Sequence, residues 1–347
     1  MTSTQSNGSR RRRPGAGELM RAAVYRRFGP PEVVTIAEIP TPAPGPQDVL
    51  IRVVASTVSA ADHRARSRDV PKGLGLLASV GLGVFRPRHR VLGMDAAGVV
   101  EAVGEKVTRF SPGDEVIAML GGAFGGHAEY ARISQDGAIA LKPAGMAFDE
   151  AVALVFGGIT ARAYLNRADI GPGTRVLVNG ASGAVGTAAV QLATALGARV
   201  TAVCAARNAE LVTSLGATRV IDYATEDFAV GPNEYDVIVD CVGNASFDRV
   251  QHLITPGGAL LAVITDLDGI LRATSRSRRS GKLVSANGAK YRAEDLEHLV
   301  ALAEACRLRP VIDRRFGLAE IVAAHRFVDA GHKRGAVVLH VAAGDSL

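Results

Sequence analysis

The stretch VLVNGASGAVG, residues 176–186, constrains the fold more than any other part of this chain. An apolar run leads straight into a glycine-rich turn, and the turn opens into a helix-forming segment. A strand with no polar alternation is apolar on both faces, which places it in a parallel sheet covered by helices. Aligned to G-x-G-x-x-G, the turn is Ala181, Ser182, Gly183, Ala184, Val185 and Gly186, with Gly180 one position earlier and alanine at the first glycine position. Gly183 lets a pyrophosphate approach the backbone, and Gly186 lets the helix pack on the sheet. The N–H groups at the helix start then face the diphosphate. Gly180, Ala181, Ser182, Gly183, Ala184 and Val185 are therefore expected to hold a dinucleotide. A plain glycine-rich turn is the alternative.

The rest of the chain supports that unit. After residue 143, strand and helix patterns alternate: TRVLVNG, AVGTAAVQLATALG, ARVTAVC, NAELVTSLGA, TRVIDY, YDVIVDCVG, SFDRVQHLIT and GALLAVI. Such alternation predicts βαβ units and a doubly wound parallel sheet, an α/β fold. DEAVALVFGGITARAYLNRA reads as a helix interrupted at Gly157-Gly158. Before residue 143 the pattern is short strands with Pro/Gly punctuation, a mainly-β domain. KLVSANG, 282–288, reads as a further strand. Two helical stretches, 293–306 and 318–330, and a closing strand AVVLHV follow. The apolar insert GLGLLASVGLGVF, 73–85, is expected to be packed core, with a pocket wall as the alternative.

The end of the second strand of the alternating region selects the dinucleotide. A site for a free ribose 2′-hydroxyl wants Asp or Glu there. This chain has Cys204, Ala205 and Ala206, then Arg207. A cation without an acid suits a 2′-phosphate, so NADPH is the expected cofactor, with Arg207 as a solvated residue at a helix start as the alternative.

These segments together resemble the medium-chain dehydrogenase/reductase superfamily, within it the zinc-free quinone oxidoreductase branch. The resemblance covers residues 20–343. It is carried by MRAAVYRRFGPPEVV, VLIRVVASTVSAADHRAR, LGMDAAGVVEAVG, FSPGDEV, GGHAEYA, VLVNGASGAVGTAAVQLA, SLGATRVIDY and GHKRGAVVL. It implies a GroES-like substrate domain made from both chain ends and a Rossmann domain inserted between them. The expected division is a basic tail at 1–19, a first part of the substrate domain at 20–142, the cofactor domain at 143–287 and a second part of the substrate domain at 288–347. The resemblance also implies Tyr223 near the 2′-phosphate, Val242 and Val263 along the cofactor, and Ser59 and Thr160 near the nicotinamide as candidate catalytic residues. Ser59 stands where many relatives carry Asn, and Ala336 stands where a lysine is common.

The segment HRVLGMDAAGVVEAVG, 89–104, places Met94-Asp95 where zinc-dependent members carry His-Glu. No cysteine precedes Cys204, and the three cysteines have no CxxC spacing, so no metal site is expected. Alcohol oxidation without a metal is hard, because it needs alkoxide character. Adding hydride to a quinone or to the β-carbon of an enone leaves a delocalised anion that hydrogen-bond donors stabilise. Reduction of a quinone or an activated C=C bond is the expected chemistry, and a cofactor-binding partner or redox sensor with little turnover is the alternative. Ser59, Thr160, Tyr130, His127 and water are candidate proton donors. Asp62-His63 reads as a strand end, where adjacent side chains point apart.

Composition sets the remaining bounds. No run of 18 apolar residues appears in the 347, so no segment is expected to span a membrane. Residues 1–19 carry Arg10, Arg11, Arg12 and Arg13 in a Ser/Gly-rich context, expected to be disordered. A small-molecule substrate is expected, with neither nucleic acid nor membrane as partner. Scattered cysteines suit a reducing, cytoplasmic setting. An open sheet edge at 282–288 suits a homodimer.

Overall fold

The computed structural model describes residues 18–231, 234–286 and 288–342. Of the tail expected to be disordered, residues 1–17 fall outside these, whereas Leu19 already belongs to the first strand. The first strands are β1 (Leu19–Tyr25), β2 (Val34–Pro40) and β3 (Asp48–Thr57), followed by helices α1 (Ala60–Ser67) and α2 (Gly75–Leu82). Next come β4 (Asp95–Val103), β5 (Glu115–Met119), β6 (Tyr130–Ser134), β7 (Ala138–Leu141) and the long helix α3 (Phe148–Leu165). The alternating region is β8 (Arg175–Asn179), α4 (Ala184–Ala195), β9 (Arg199–Cys204), α5 (Ala209–Ser214), β10 (Ala217–Asp222), β11 (Tyr235–Asp240), α6 (Phe247–Val250), β12 (Ile254–Ala262), α7 (Leu267–Ser280) and β13 (Leu283–Ser285). The chain closes with α8 (Ala293–Glu304), β14 (Ile312–Gly317), α9 (Ile321–Asp329) and β15 (Ala336–His340).

Two larger sheets organise these elements. One is six-stranded in the order β10-β9-β8-β11-β12-β13, with every neighbour parallel. This is the doubly wound order in which the chain reverses direction across the sheet between β8 and β11. The other, mainly antiparallel, runs β14-β15-β3-β4-β5-β7, with β6 on β3. β15 pairs with β3, so the chain's end completes a sheet begun near its start. β1 and β2 form a separate hairpin. The six-stranded sheet and the mainly-β lobe confirm the expected fold class.

Several local readings are corrected. The helix expected to break at Gly157-Gly158 is continuous as α3. A Cβ on Gly157 would lie 2.2 Å from the carbonyl oxygen of Ala184, and one on Gly158 would lie 2.8 Å from Leu299. The glycines are there for close packing of α3 against α4 and α8, which outweighs their weak helix propensity. Asp62-His63 lies on a helix, not a strand end. Ser59 is the N-cap of α1 and Asp62 its third residue, in a reciprocal capping box. The 73–85 insert is not packed core: within α2 no residue is fully buried. Helix α7 was hidden in the sequence by its arginine-rich, weakly apolar pattern; its cap is Asp266, which accepts from the Gly269 N–H at 2.8 Å.

Candidate functional site

A cleft of about 770 Å³ opens outside the carboxyl ends of β8, β9 and β11, the position where open α/β sheets bind ligands. One wall is the 180–186 loop. Gly180 sits in the left-handed region at φ +78°, and a Cβ there would meet Val242 at 2.7 Å. Gly180 and Ala181 donate to the carbonyl of Val203 at 3.1 and 3.0 Å, which ties the loop to β9. Gly183 is the N-cap of α4. A Cβ on Gly183 would meet only the carbonyl oxygen of Gly180, at 3.6 Å, so its free side is open to the cleft. Gly186 differs, because a Cβ there would lie 2.1 Å from the Gly180 carbonyl. The two glycines thus divide the roles of ligand approach and helix–strand packing. The opening N–H groups of α4 have no carbonyl one turn back, and they form an anion-receptive end.

The adenosine side lies at the end of β9. Arg207 is exposed and lines the cleft together with Tyr223, and no carboxylate in the described residues pairs with it. Asn208, buried beside it, donates to the hydroxyl of Ser182 at 3.1 Å. Its own amide oxygen is buried without a partner, an acceptor left over beside the cleft. These features fit a dinucleotide: an open glycine cradle and an exposed cation for phosphate, and an acceptor suited to a ribose hydroxyl.

The opposite end is built by β11, β12 and α3. Asp240 shapes the turn after β11. It accepts from Asn179 at 2.8 Å and from the N–H groups of Val242, Gly243 and Ala245, each at 3.0 Å. That clamp presents Val242 to the cleft, with Val263 beside it at the end of β12. Phe156, Thr160 and Tyr164 reach in from α3 and Met94 from the turn before β4. The Thr160 hydroxyl is buried without a partner. Tyr291 lines the same end. Burial pushes its phenol up, and the neighbouring Thr160 acts in the opposite sense. Sequence reasoning missed Tyr291, Asn208 and Asp240, whose roles depend on long-range packing.

A third wall comes from the chain's end. The N–H of Gly335 donates to the Ser182 carbonyl at 2.8 Å, laying the 331–335 turn across the phosphate loop. Lys333 lines the cleft there and donates to the Gly335 carbonyl at 2.7 Å. Burial pushes its pKa down to about 8, against a pull upward from Asp313. Ala336, at the position where a lysine is common, is buried in β15; the cation of this segment that reaches the cleft is Lys333.

The cleft thus brings together Gly180, Ser182, Gly183, Ala184, Val185, Arg207, Tyr223, Val242, Val263 and Thr160. Ala181 lies beneath it, fully buried. Ser59 is outside the cleft lining, and its hydroxyl donates to Asp62 at 2.5 Å. The S-x-x-D spacing of Ser59 and Asp62 is the signal that predicts this capping role. Neither His127 nor Tyr130 lines the cleft. His127 donates from Nε2 to the Thr57 carbonyl at 2.9 Å, and Tyr130 is paired with Arg52 in the sheet. Asp62 and His63 diverge: Asp62 accepts from the Gly93 N–H at 2.8 Å, and His63 meets Asp329 at 2.6 Å.

Asp95, in the position of a family metal ligand, is buried and committed elsewhere. Its carboxylate accepts from the Thr57 N–H at 2.7 Å and the Thr57 hydroxyl at 2.6 Å. Burial pushes its pKa up to about 7. Among the described residues no three His, Cys, Asp or Glu are grouped to hold a metal ion.

Comparison with known proteins agrees with this geometry. A family model described as the alcohol dehydrogenase GroES-like domain matches residues 45–143, and one described as zinc-binding dehydrogenase matches residues 215–339. The chain is 31% identical over 344 residues to the chloroplastic quinone-oxidoreductase QR1 of Triphysaria versicolor, covering 93% of this chain and 99% of that one. It is 30% identical over 337 residues to the chloroplastic NADPH-dependent alkenal/one oxidoreductase of Arabidopsis thaliana, covering 92% and 79%. The solved quinone oxidoreductase of Coxiella burnetii superposes with a TM-score of 0.83 at 30% identity, covering 94% of this chain and all of that one. With a doubly wound sheet, a GroES-like lobe and Met94-Asp95 in place of metal ligands, this chain belongs to the medium-chain dehydrogenase/reductase superfamily, in its quinone oxidoreductase-like branch.

Proposed function

We infer that the protein is an NADPH-dependent reductase of quinones or of the activated C=C bond of enone or enoyl compounds, working without a metal ion. One arrangement carries this reading: a single cleft with a phosphate-receptive, cationic end and an apolar end whose donors are hydroxyls. Gly183 and the start of α4 would hold the diphosphate, with Lys333 above it, and Arg207 and Tyr223 would hold the 2′-phosphate. The bound nicotinamide supplies the hydride. Met94, Phe156, Val242 and Val263 shield the reacting end from water, which strengthens any hydrogen bond made there. Thr160 and Tyr291, which line this end, would bond an acceptor oxygen as negative charge develops on it. Burial keeps the Tyr291 phenol protonated, so it donates rather than repels.

The cofactor would sit in the lobe of residues 143–287 and the substrate against the lobe of 20–142 and 288–347. Names among the relatives, a quinone oxidoreductase and an alkenal/one oxidoreductase, support the substrate class. The two cleft-lining thiols, Cys204 and Cys241, do not suit a redox sensor: burial pushes both up, away from the reactive thiolate. NADPH consumption with a panel of quinones and alkenals tests the reading. Turnover of at least one class is expected; tight NADPH binding with no turnover on any member would leave the binding-protein alternative instead. A cytoplasmic setting remains our reading from the free cysteines.

A further inference from the structure

We propose that the 73–90 segment is a docking surface for an anionic phospholipid bilayer, on which the protein lies peripherally. The segment contains the largest concentration of exposed apolar side chains in the described residues. Leu76 is 80% exposed and Phe85 91%, with Leu77, Val80 and Val84 also exposed. Leu76 and Val80 are one helical turn apart on α2, and the exposed Val84 and Phe85 follow just past its C-cap, Gly83. Solvent exposure of so many contiguous apolar groups marks an interaction surface.

The ridge is built, not loose. Leu82 packs into the core beneath it. Arg68, at the C-cap of α1, donates to the Val84 carbonyl at 2.7 Å and also bonds Ser79. The Arg88 N–H donates to the Leu82 carbonyl at 2.8 Å. Gly83 makes that turn possible at φ +107°, because a Cβ there would lie 2.1 Å from the Arg86 carbonyl. Phe85 is therefore held at the tip of a closed turn.

Charge decides what covers the ridge. Phe85 also borders a cleft of about 630 Å³ lined by Arg26, Arg27, Arg86 and Arg90. None of these four guanidinium groups has an ion-pair partner in the described residues. The one acid on that cleft, Glu32, is already taken by Arg326 at 2.7 Å. An apolar ridge beside unpaired arginines matches the boundary of a bilayer, with Leu and Phe in the acyl region and arginine at the phosphates. A second copy of the chain fits less well, because a two-fold contact would bring the two arginine clusters together. A nucleic acid would satisfy the arginines and leave the ridge in water. No described helix is long and apolar enough to cross a membrane, but lying on its surface requires none. This departs from the absence of a membrane partner expected from the sequence.

The test is flotation of the full-length protein with phosphatidylcholine vesicles, with and without phosphatidylserine. Wild type is expected to float with the phosphatidylserine vesicles and to be released by high salt. Leu76→Ser/Phe85→Ser should lose roughly tenfold or more in partitioning. Arg26→Gln/Arg86→Gln should lose about thirtyfold in affinity for the anionic vesicles, while binding to neutral ones is unchanged. Both variants should bind NADPH as wild type does, which shows that they fold. Failure of wild type to float overturns the proposal. So does flotation that both variants retain, or that only removal of residues 1–17 abolishes. Light scattering that finds a dimer dissociated by Leu76→Ser/Phe85→Ser would assign the ridge to a second copy and overturn it as well.

Discussion

We propose that Arg207 sets cofactor choice. It stands at the end of β9, where Cys204, Ala205 and Ala206 leave no carboxylate to accept from a ribose hydroxyl. A charge-assisted hydrogen bond is worth roughly 1.5–3 kcal/mol. Arg207→Ala should therefore weaken NADPH binding about ten- to hundredfold and leave NADH binding nearly unchanged. Titration of both cofactors into both proteins checks this, and equal affinities in the wild type would refute it. Lys333 adds a pH dependence. Its pKa is pushed down to about 8, and a diphosphate beside it would favour the charged form and raise that value. NADPH affinity should then be full below about pH 8 and fall as pH rises through it, where binding begins to require proton uptake. Lys333→Met should flatten that profile; an unchanged slope would show that Lys333 does not face the phosphates. Arg207 was legible because its context is local, the end of a recognisable strand. Lys333 was not, because its place depends on the Gly335–Ser182 bond between segments far apart in the chain.

The strand–turn–helix unit β8–α4 is where sequence and structure agree best, because its apolar run and glycine spacing are local requirements of one motif. Within it Gly183→Val should separate binding from folding. Space around Gly183 is open on the protein side, so the variant should keep its melting temperature. NADPH affinity should fall roughly a hundredfold or more, since the new side chain occupies the approach to the diphosphate. Unchanged affinity in a folded variant would remove the loop from the cofactor site. Other elements were less legible, each for a definite reason. The Gly157-Gly158 pair looks like a helix breaker until Ala184 and Leu299 are seen pressed against it. The run 73–85 looks like core, because composition reports apolarity and not position; tertiary placement leaves α2 outside. The start of α1 looks like a strand end by its apolar run, although Ser59 and Asp62 spell its capping box.

At the scale of the whole molecule, two lobes meet along one cleft; the 331–335 turn lies on its wall, and β15, which follows that turn, joins the mainly-β sheet beside β3. β13 lies at the edge of the parallel sheet, as the 282–288 pattern suggested. We propose that β13 pairs with its counterpart in a second copy, which would satisfy its free backbone groups. Light scattering at micromolar concentration should find a dimer, unaffected by changes on the 73–90 ridge; a monomer would refute the pairing. Isotope tracing can follow hydride delivery to a conjugated acceptor without a metal. The full-length protein, treated with chelator, would be given NADPH carrying deuterium at both C4 positions of the dihydronicotinamide and an alkenal or enone that it turns over. We predict a saturated product carrying deuterium at its β-carbon, formed at the same rate with and without the chelator. Product without deuterium at that carbon, or turnover that stops with the chelator and returns with zinc, would contradict the account.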